Sequence, residues 1–207
     1  MTANAICVQQ PVIEPVSLTE VKLHLRMDTT ESPANDTEAS LLAIFIAAAR
    51  RYAEHFTNKA FATQTWALYL DEFPEENYIV LPRPPLQYIE SLTYKDSAGV
   101  SQVVSFIDPS GTPLTETDDF IVDVSIEPAR LYLKNGASWP QALAEAQSVV
   151  IQFVAGYADM NDVPGEVKAA ILLKVSDLYE NRGDTAAAER LDVTLKALLW
   201  PERIVPV

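Results

Sequence analysis

A chain of 207 residues, 48% of them apolar and 9% aromatic, is long and apolar enough to bury a core without metals or disulfides, which excludes a disordered polypeptide. Its formal net charge of −14 argues against a sequence-reading nucleic-acid binder, which carries a basic patch against the phosphates. Cys7 is the single cysteine, so no intrachain disulfide can form.

The opening MTANAICVQQ lacks the basic and long apolar segments of a signal peptide, and the longest apolar run, Leu41 to Ala49, stops at Arg50 and Arg51. A cytoplasmic protein with no membrane partner is expected. Ser17-Leu18-Thr19-Glu20 has the capping-box spacing, and Leu18, Val21 and Leu25 follow at helical intervals, predicting a short helix to about Arg26. Met27 to Asn35 is polar, contains Ser32-Pro33 and reads as a loop. A long helix is predicted from Asp36 or Thr37 to Thr57. Its broad apolar face takes in Leu41, Leu42, Phe45, Ala48, Ala49, Tyr52 and Phe56, with Arg50, Arg51 and Glu54 toward water. The alanines at 47 to 49 would let a neighbouring helix approach closely.

Between Ala62 and Phe153 the period changes to that of strands. Trp66, Leu68 and Leu70 alternate with Thr65, Ala67 and Tyr69, and Ile79 to Leu81 is a short run stopped by Pro82, Pro84 and Pro85. Ile89, Leu92 and Tyr94 lead into the turn Asp96-Ser97-Ala98-Gly99, with Val103-Val104 returning. Phe120–Val124 and Arg130–Leu133 form a second pair around Glu127-Pro128-Ala129, and Val149 to Val154 closes the region before Gly156. Helix resumes with Asp162 as a candidate cap, Pro164 in the first turn and Glu166 near the positive end of the macrodipole. Val167, Ile171, Leu172, Val175, Leu178 and Tyr179 make its apolar stripe, and Asn181-Arg182-Gly183 its stop. A last helix covers Arg190 to Leu199, before Pro201.

The pattern is α+β: a helical core of two main and several short helices, with an antiparallel β insert between the N-terminal and C-terminal helices. One domain over 1–207 is expected, built from N-terminal helices over 15–58, a β-rich insert over 62–154, C-terminal helices over 162–200 and a tail over 201–207.

Chemistry-bearing motifs are scarce. His24 and His55 have no partner at metal-ligand spacing, and HExxH, CxxC, a Walker glycine loop and G-x-S-x-G are all missing. No catalytic residue, cofactor or metal site is expected. Acids cluster at Asp71, Glu72, Glu75 and Glu76, and again at Glu116, Asp118, Asp119, Asp123 and Glu127. Paired carboxylates could serve a glycosidase or bind calcium, but neither cluster has an EF-hand spacing, and solvated loops are the plainer reading. Asn35-Asp36-Thr37 matches a glycosylation sequon by chance in a chain without a secretory signal. Trp66, Trp139 and Trp200 are expected near element ends, and Trp139-Pro140 and Trp200-Pro201 are candidates to anchor a partner.

The order of particular segments says more. Pro15-Val16-Ser17-Leu18-Thr19-Glu20-Val21-Lys22-Leu23-His24-Leu25-Arg26 resembles the P-V-[ST]-L-x-E-x-K-x-H-L-R opening of the head–tail connector (adaptor) proteins of long-tailed bacteriophages. The alanine-rich helix with Leu41-Leu42-Ala43 and Ala47-Ala48-Ala49-Arg50 is similar to the helix that follows there. Phe61 to Trp66 resembles the family's strand entry, with Lys59-Ala60 departing from its usual arginine. Leu81-Pro82-Arg83-Pro84-Pro85-Leu86, Ser138-Trp139-Pro140, Phe153-Val154-Ala155-Gly156-Tyr157 and Tyr179-Glu180-Asn181-Arg182 continue the match, which spans about Pro15 to Pro201.

The resemblance implies a structural virion protein of the neck, assembled in the host cytoplasm. Copies would form a homo-oligomeric ring under the portal protein, join the head to the tail or a stopper protein, and extend a channel through which genomic DNA passes without sequence-specific binding. Within that reading the apolar Leu198-Leu199-Trp200 cluster beside Pro201, together with Trp139, gives the candidates for partner contact. The same reading makes Glu116, Asp118 and Asp119 candidates to line the channel. The remaining readings are another neck or tail module, a carbohydrate-binding β module and a carboxylate-dependent hydrolase.

Overall fold

Two changes of hydrophobic period divide the chain, and the computed structural model follows them. It describes residues 4–29, 38–181 and 185–205, the side chains of 185–189 excepted. The fold is α+β, with four α-helices and antiparallel sheets among the described residues. The chain forms two units, one of Met1–Pro11 with Thr63–Gly156 and one of Val12–Ala62 with Tyr157–Val207.

The first unit is all β. Its strands are β1 (Asn4–Gln9), β2 (Gln64–Leu70), β3 (Tyr78–Val80), β4 (Leu86–Lys95), β5 (Ser101–Ser105), β6 (Phe120–Asp123), β7 (Arg130–Leu133) and β8 (Val149–Ala155). One five-stranded sheet has the order β1-β2-β8-β4-β5, and a three-stranded sheet has the order β3-β7-β6, with antiparallel pairing throughout. The expected pairs form: Asp96-Ser97-Ala98-Gly99 turns β4 into β5, and Glu127-Pro128-Ala129 lies between β6 and β7. Asp96 fixes the first turn, its carboxylate accepting from the Ala98 and Val100 N–H groups, both at 2.9 Å. Leu68, Ile89, Leu92, Ile151 and Phe153 from the larger sheet, and Phe120 and Leu131 from the smaller, are buried. Gly156 ends β8 at φ +104°, a conformation that costs glycine little, and its N–H donates to Pro85 O at 2.8 Å.

Strand β1 was not predicted. Its β-branched Ile6 and Val8 are exposed while small Ala5 and Cys7 are half-buried, so its hydropathy alternates in the wrong sense for a buried face. Trp66 lies in the middle of β2 rather than at an element end, with the Arg83 guanidinium over its ring at 5.1 Å.

The second unit is helical: α1 (Leu18–His24), α2 (Ala39–Thr57), α3 (Gly165–Glu180) and α4 (Thr185–Leu199). Both halves of the capping box form. Ser17 Oγ accepts from the Glu20 N–H at 3.2 Å, and Glu20 accepts from the Ser17 N–H at 2.6 Å. Val21, Leu42, Ile46, Ala49, Val167, Ile171, Val175, Leu195 and Leu199 build the core. Helix α2 ends at Asn58 in the left-handed region.

Three expectations are corrected here. Arg50 and Glu54 are buried, not wet, whereas Leu41 and Ala48 are exposed. Asp162 does not cap α3. It sits in a 3-10 turn, Met160–Asp162, capped by Asp159, and extended Val163, the residue before a proline, separates it from the helix. The last helix begins earlier than expected, at Thr185, and a 3-10 turn over Trp200–Glu202 carries the chain past Pro201. The expected start of α2 at Asp36 or Thr37, the sequon at Asn35 and the Arg182-Gly183 stop lie outside the described residues.

Candidate functional site

Among the described residues, no group of three or more His, Cys, Asp or Glu side chains could hold a metal ion. None of the described helices is long and apolar enough to cross a membrane. His24 and His55 are both exposed.

At the C-terminal end of the helical unit the sequence candidates separate. Leu199 is fully buried and Leu198 half-buried, both against the helical core. Trp200, at 61% exposure, and Pro201 face solvent. The Trp200 ring lies 6.5 Å from that of Phe56, and the Arg203 guanidinium covers both rings at 5.2 and 5.1 Å. The tail is tied to the end of α2: the Ile204 N–H donates to Thr57 O at 2.8 Å, Asn58 Nδ2 donates to Ile204 O at 2.9 Å, and Lys59 pairs with Glu202 at 3.0 Å. Trp200 and Pro201 stay outward on this tied segment.

Trp139 is set differently. Its ring stacks on Phe73 at 5.1 Å and on Phe120 at 5.7 Å, and its Nε1 donates to Glu76 O at 2.8 Å. The ring is half-buried and both its faces are committed inside the β unit, pinning the acidic 71–77 loop.

Glu116, Asp118 and Asp119 come together as the sequence clustering suggests. With Val103, Leu114 and Lys134 they line an open concavity of about 570 Å³ in the β unit. Glu116 is 3.7 Å from Lys134, a loose exposed pair, and Asp118 and Asp119 are exposed. Asp123, from the same cluster, is held below the usual carboxylate range by hydrogen bonds from the Ser125 hydroxyl and N–H.

Sequence reasoning missed the polar framework of the helical unit. Arg50 Nε donates to Glu14 at 2.7 Å and its NH1 to Glu54 at 2.5 Å, and the other Glu54 oxygen accepts from the Phe61 N–H at 2.9 Å. Burial alone would lower the Arg50 pKa, but Glu54 and Glu14 more than offset it and raise it. On the far side of α2, Tyr52 donates to Asp192, which also pairs with Lys196 at 2.5 Å. The hydrogen bonds from Lys196 and Tyr52 hold Asp192 low, and burial with the carboxylate beside it pushes the Tyr52 hydroxyl up. Asp177, which burial would raise, is instead lowered by Lys174 and Asn181. The i,i+4 spacing of Arg50 and Glu54 was the available signal, but it reads equally well as a solvated surface pair.

No protein-family model matches the sequence, and no curated protein is similar to it. Solved structures are. A chain in the neck of an empty gene transfer agent particle, computed with C6 symmetry, aligns with a TM-score of 0.75 at 22% identity, covering 100% of this chain and 97% of that one. A chain in the virion of a native gene transfer agent particle aligns with a TM-score of 0.72 at 24% identity, covering 97% of each. One in the neck of the native particle, computed with C12 symmetry, aligns with a TM-score of 0.62 at 24% identity, again covering 97% of each. This chain thus has, along its whole length, the fold of chains from the neck of a phage-like particle, the architecture that its resemblance to head–tail connector proteins implies.

Proposed function

We propose that this protein is a structural, non-catalytic subunit of the neck of a phage or phage-like particle. The observation that carries the reading is end-to-end agreement with a neck chain, 100% of this chain on 97% of the other. Copies form a closed ring under the portal, which joins the DNA-filled head to the tail or stopper protein and extends the DNA channel. A ring needs a heterologous interface that closes by rotation, as in the C6 and C12 necks of the structural neighbours.

Within this reading Trp200, Pro201 and the tail to Val205 form the portal-facing end, supported by their exposure and by the anchoring of Ile204 and Glu202 on the end of α2. Leu198 and Leu199 support that end from beneath. Trp139 acts by holding the 71–77 loop rather than by reaching a partner. Glu116, Asp118 and Asp119 face the channel, where their charge repels DNA and limits sticking.

Co-sedimentation with the cognate portal tests the assignment. The intact chain should pellet with assembled portal, and a chain ending at Trp200 should do so several-fold more weakly. Equal binding by the two removes the tail from the interface, and no binding by either removes the portal as partner.

A further inference from the structure

Acids outnumber bases in this chain by 29 to 15, so an exposed arginine has many carboxylates within its own chain to choose from. Arg203 takes none. It is exposed, and among the described residues its guanidinium makes no ion pair and no hydrogen bond. It lies instead over the rings of Phe56 and Trp200, at 5.1 and 5.2 Å. The acid beside it, Glu202, is engaged by Lys59 at 3.0 Å. An aromatic ring attracts the charge but accepts no conventional hydrogen bond, so the N–H donors of the guanidinium fork stay available. The backbone that carries the fork is already ordered, because Ile204 is tied through its N–H and its carbonyl to Thr57 and Asn58. Little ordering therefore remains to oppose a contact made there. Exposure alternates along this end, with Arg203 exposed, Ile204 half-buried and Val205 at 64% exposure. Trp200 keeps 61% exposure despite its packing, and Pro201 is exposed, so apolar surface borders the fork.

We infer that Arg203 is the charged anchor of the portal-facing end: its guanidinium takes one aspartate or glutamate carboxylate of the portal in a two-point hydrogen-bonded pair. Trp200, Pro201 and Val205 shield that pair from water. The inference deepens the portal contact proposed above and rests on it. Charge selects the occupant. The parallel donors of a guanidinium match the two oxygens of a carboxylate. A DNA phosphate offers similar oxygens, but it comes as part of a continuous polyanion. The segment from Trp200 to Val205 contains one cation and one acid, in a chain of net charge −14, which is too little positive charge to hold DNA. A single carboxylate set among apolar side chains is the complement of one arginine bordered by Trp200, Pro201 and Val205.

Two full-length variants read this contact on assembled portal. Arg203→Met keeps a flexible side chain against the two rings and removes the fork. It should weaken co-sedimentation with portal by about tenfold, the weight of a charge-assisted hydrogen-bonded pair. It should also flatten the salt dependence of binding, while the circular dichroism of the free chain stays as in the wild type. Arg203→Lys keeps the charge and puts an amine in place of the fork. A water-soluble carbodiimide, which joins an amine directly to a carboxylate, should link position 203 of this portal-bound variant to a portal aspartate or glutamate, read by mass spectrometry of the peptides. Undiminished binding by Arg203→Met, or portal-bound Arg203→Lys that links position 203 to no portal acid, would overturn the carboxylate contact and leave the portal as partner. Retention of the intact chain but not of Arg203→Met on a short DNA duplex at the same salt would assign the fork to phosphate and overturn it too. No binding of the intact chain to assembled portal would overturn both readings.

Discussion

Arg50 illustrates what a single residue contributes and how its context hides it. At 2% exposure it is too buried to be a surface charge, and it stands between Glu14 and Glu54 with a hydrogen bond to each. Removing one member of such a group strands the others. Arg50→Met leaves the Glu54 carboxylate buried without its cation and should cost about 3 kcal/mol. Guanidinium denaturation would show this as a lower midpoint at unchanged slope. Adding Glu54→Gln should recover part of the loss, because the amide oxygen can still accept from the Phe61 N–H. A loss under about 0.5 kcal/mol for Arg50→Met would mean that the charges are solvated, as in an ordinary surface pair.

At the scale of elements, boundaries are set by local chemistry where the signal is local. Ser17 and Glu20 fix the start of α1, and the carboxylate is held below its ordinary range first by the Ser17 N–H. Ser17→Ala should cost about 1 kcal/mol at neutral pH. Alanine keeps the backbone N–H, so only the lowering by the Ser17 hydroxyl is lost; because a depressed carboxyl pKa contributes stability that is present above the unfolded value and lost as pH falls through the folded one, the gap between wild type and variant should narrow only slightly below the usual carboxylate range. Thermal melts at neutral and acidic pH check both parts. The same locality explains what could be read in the sequence. The capping box, the β4–β5 turn, Gly156 and the helical stripe of α3 are each encoded within a few residues. Other features depend on distant partners. Strand β1 exists because β2 offers it an edge 56 to 65 residues away, and the burial of Arg50 depends on Glu14, 36 residues earlier. The candidate surfaces divide in the same way. Clustering in sequence brought Glu116, Asp118 and Asp119 together, but the concavity they line, and the inward turn of Leu199 beside the outward turn of Trp200, needed the fold.

For the whole molecule, the formal charge of −14 is concentrated in the β unit, whose thirteen acids face four bases. In a ring around DNA such a unit is suited to let the polymer slide without adhering. Reversing Glu116, Asp118 and Asp119 to lysine should slow DNA exit from assembled particles at low salt, and added salt should restore most of the rate as it screens the new attraction. An exit rate unchanged by the triple reversal would take these acids out of the channel.

The central claim is that this chain is a ring-forming neck subunit. Electron microscopy of the purified protein bound to its assembled portal tests it most directly. A rotationally symmetric collar added to one end of the portal and continuing its channel is the expected result. Assembled portal that stays bare in the presence of folded protein, or decoration by single copies without a collar, would contradict it.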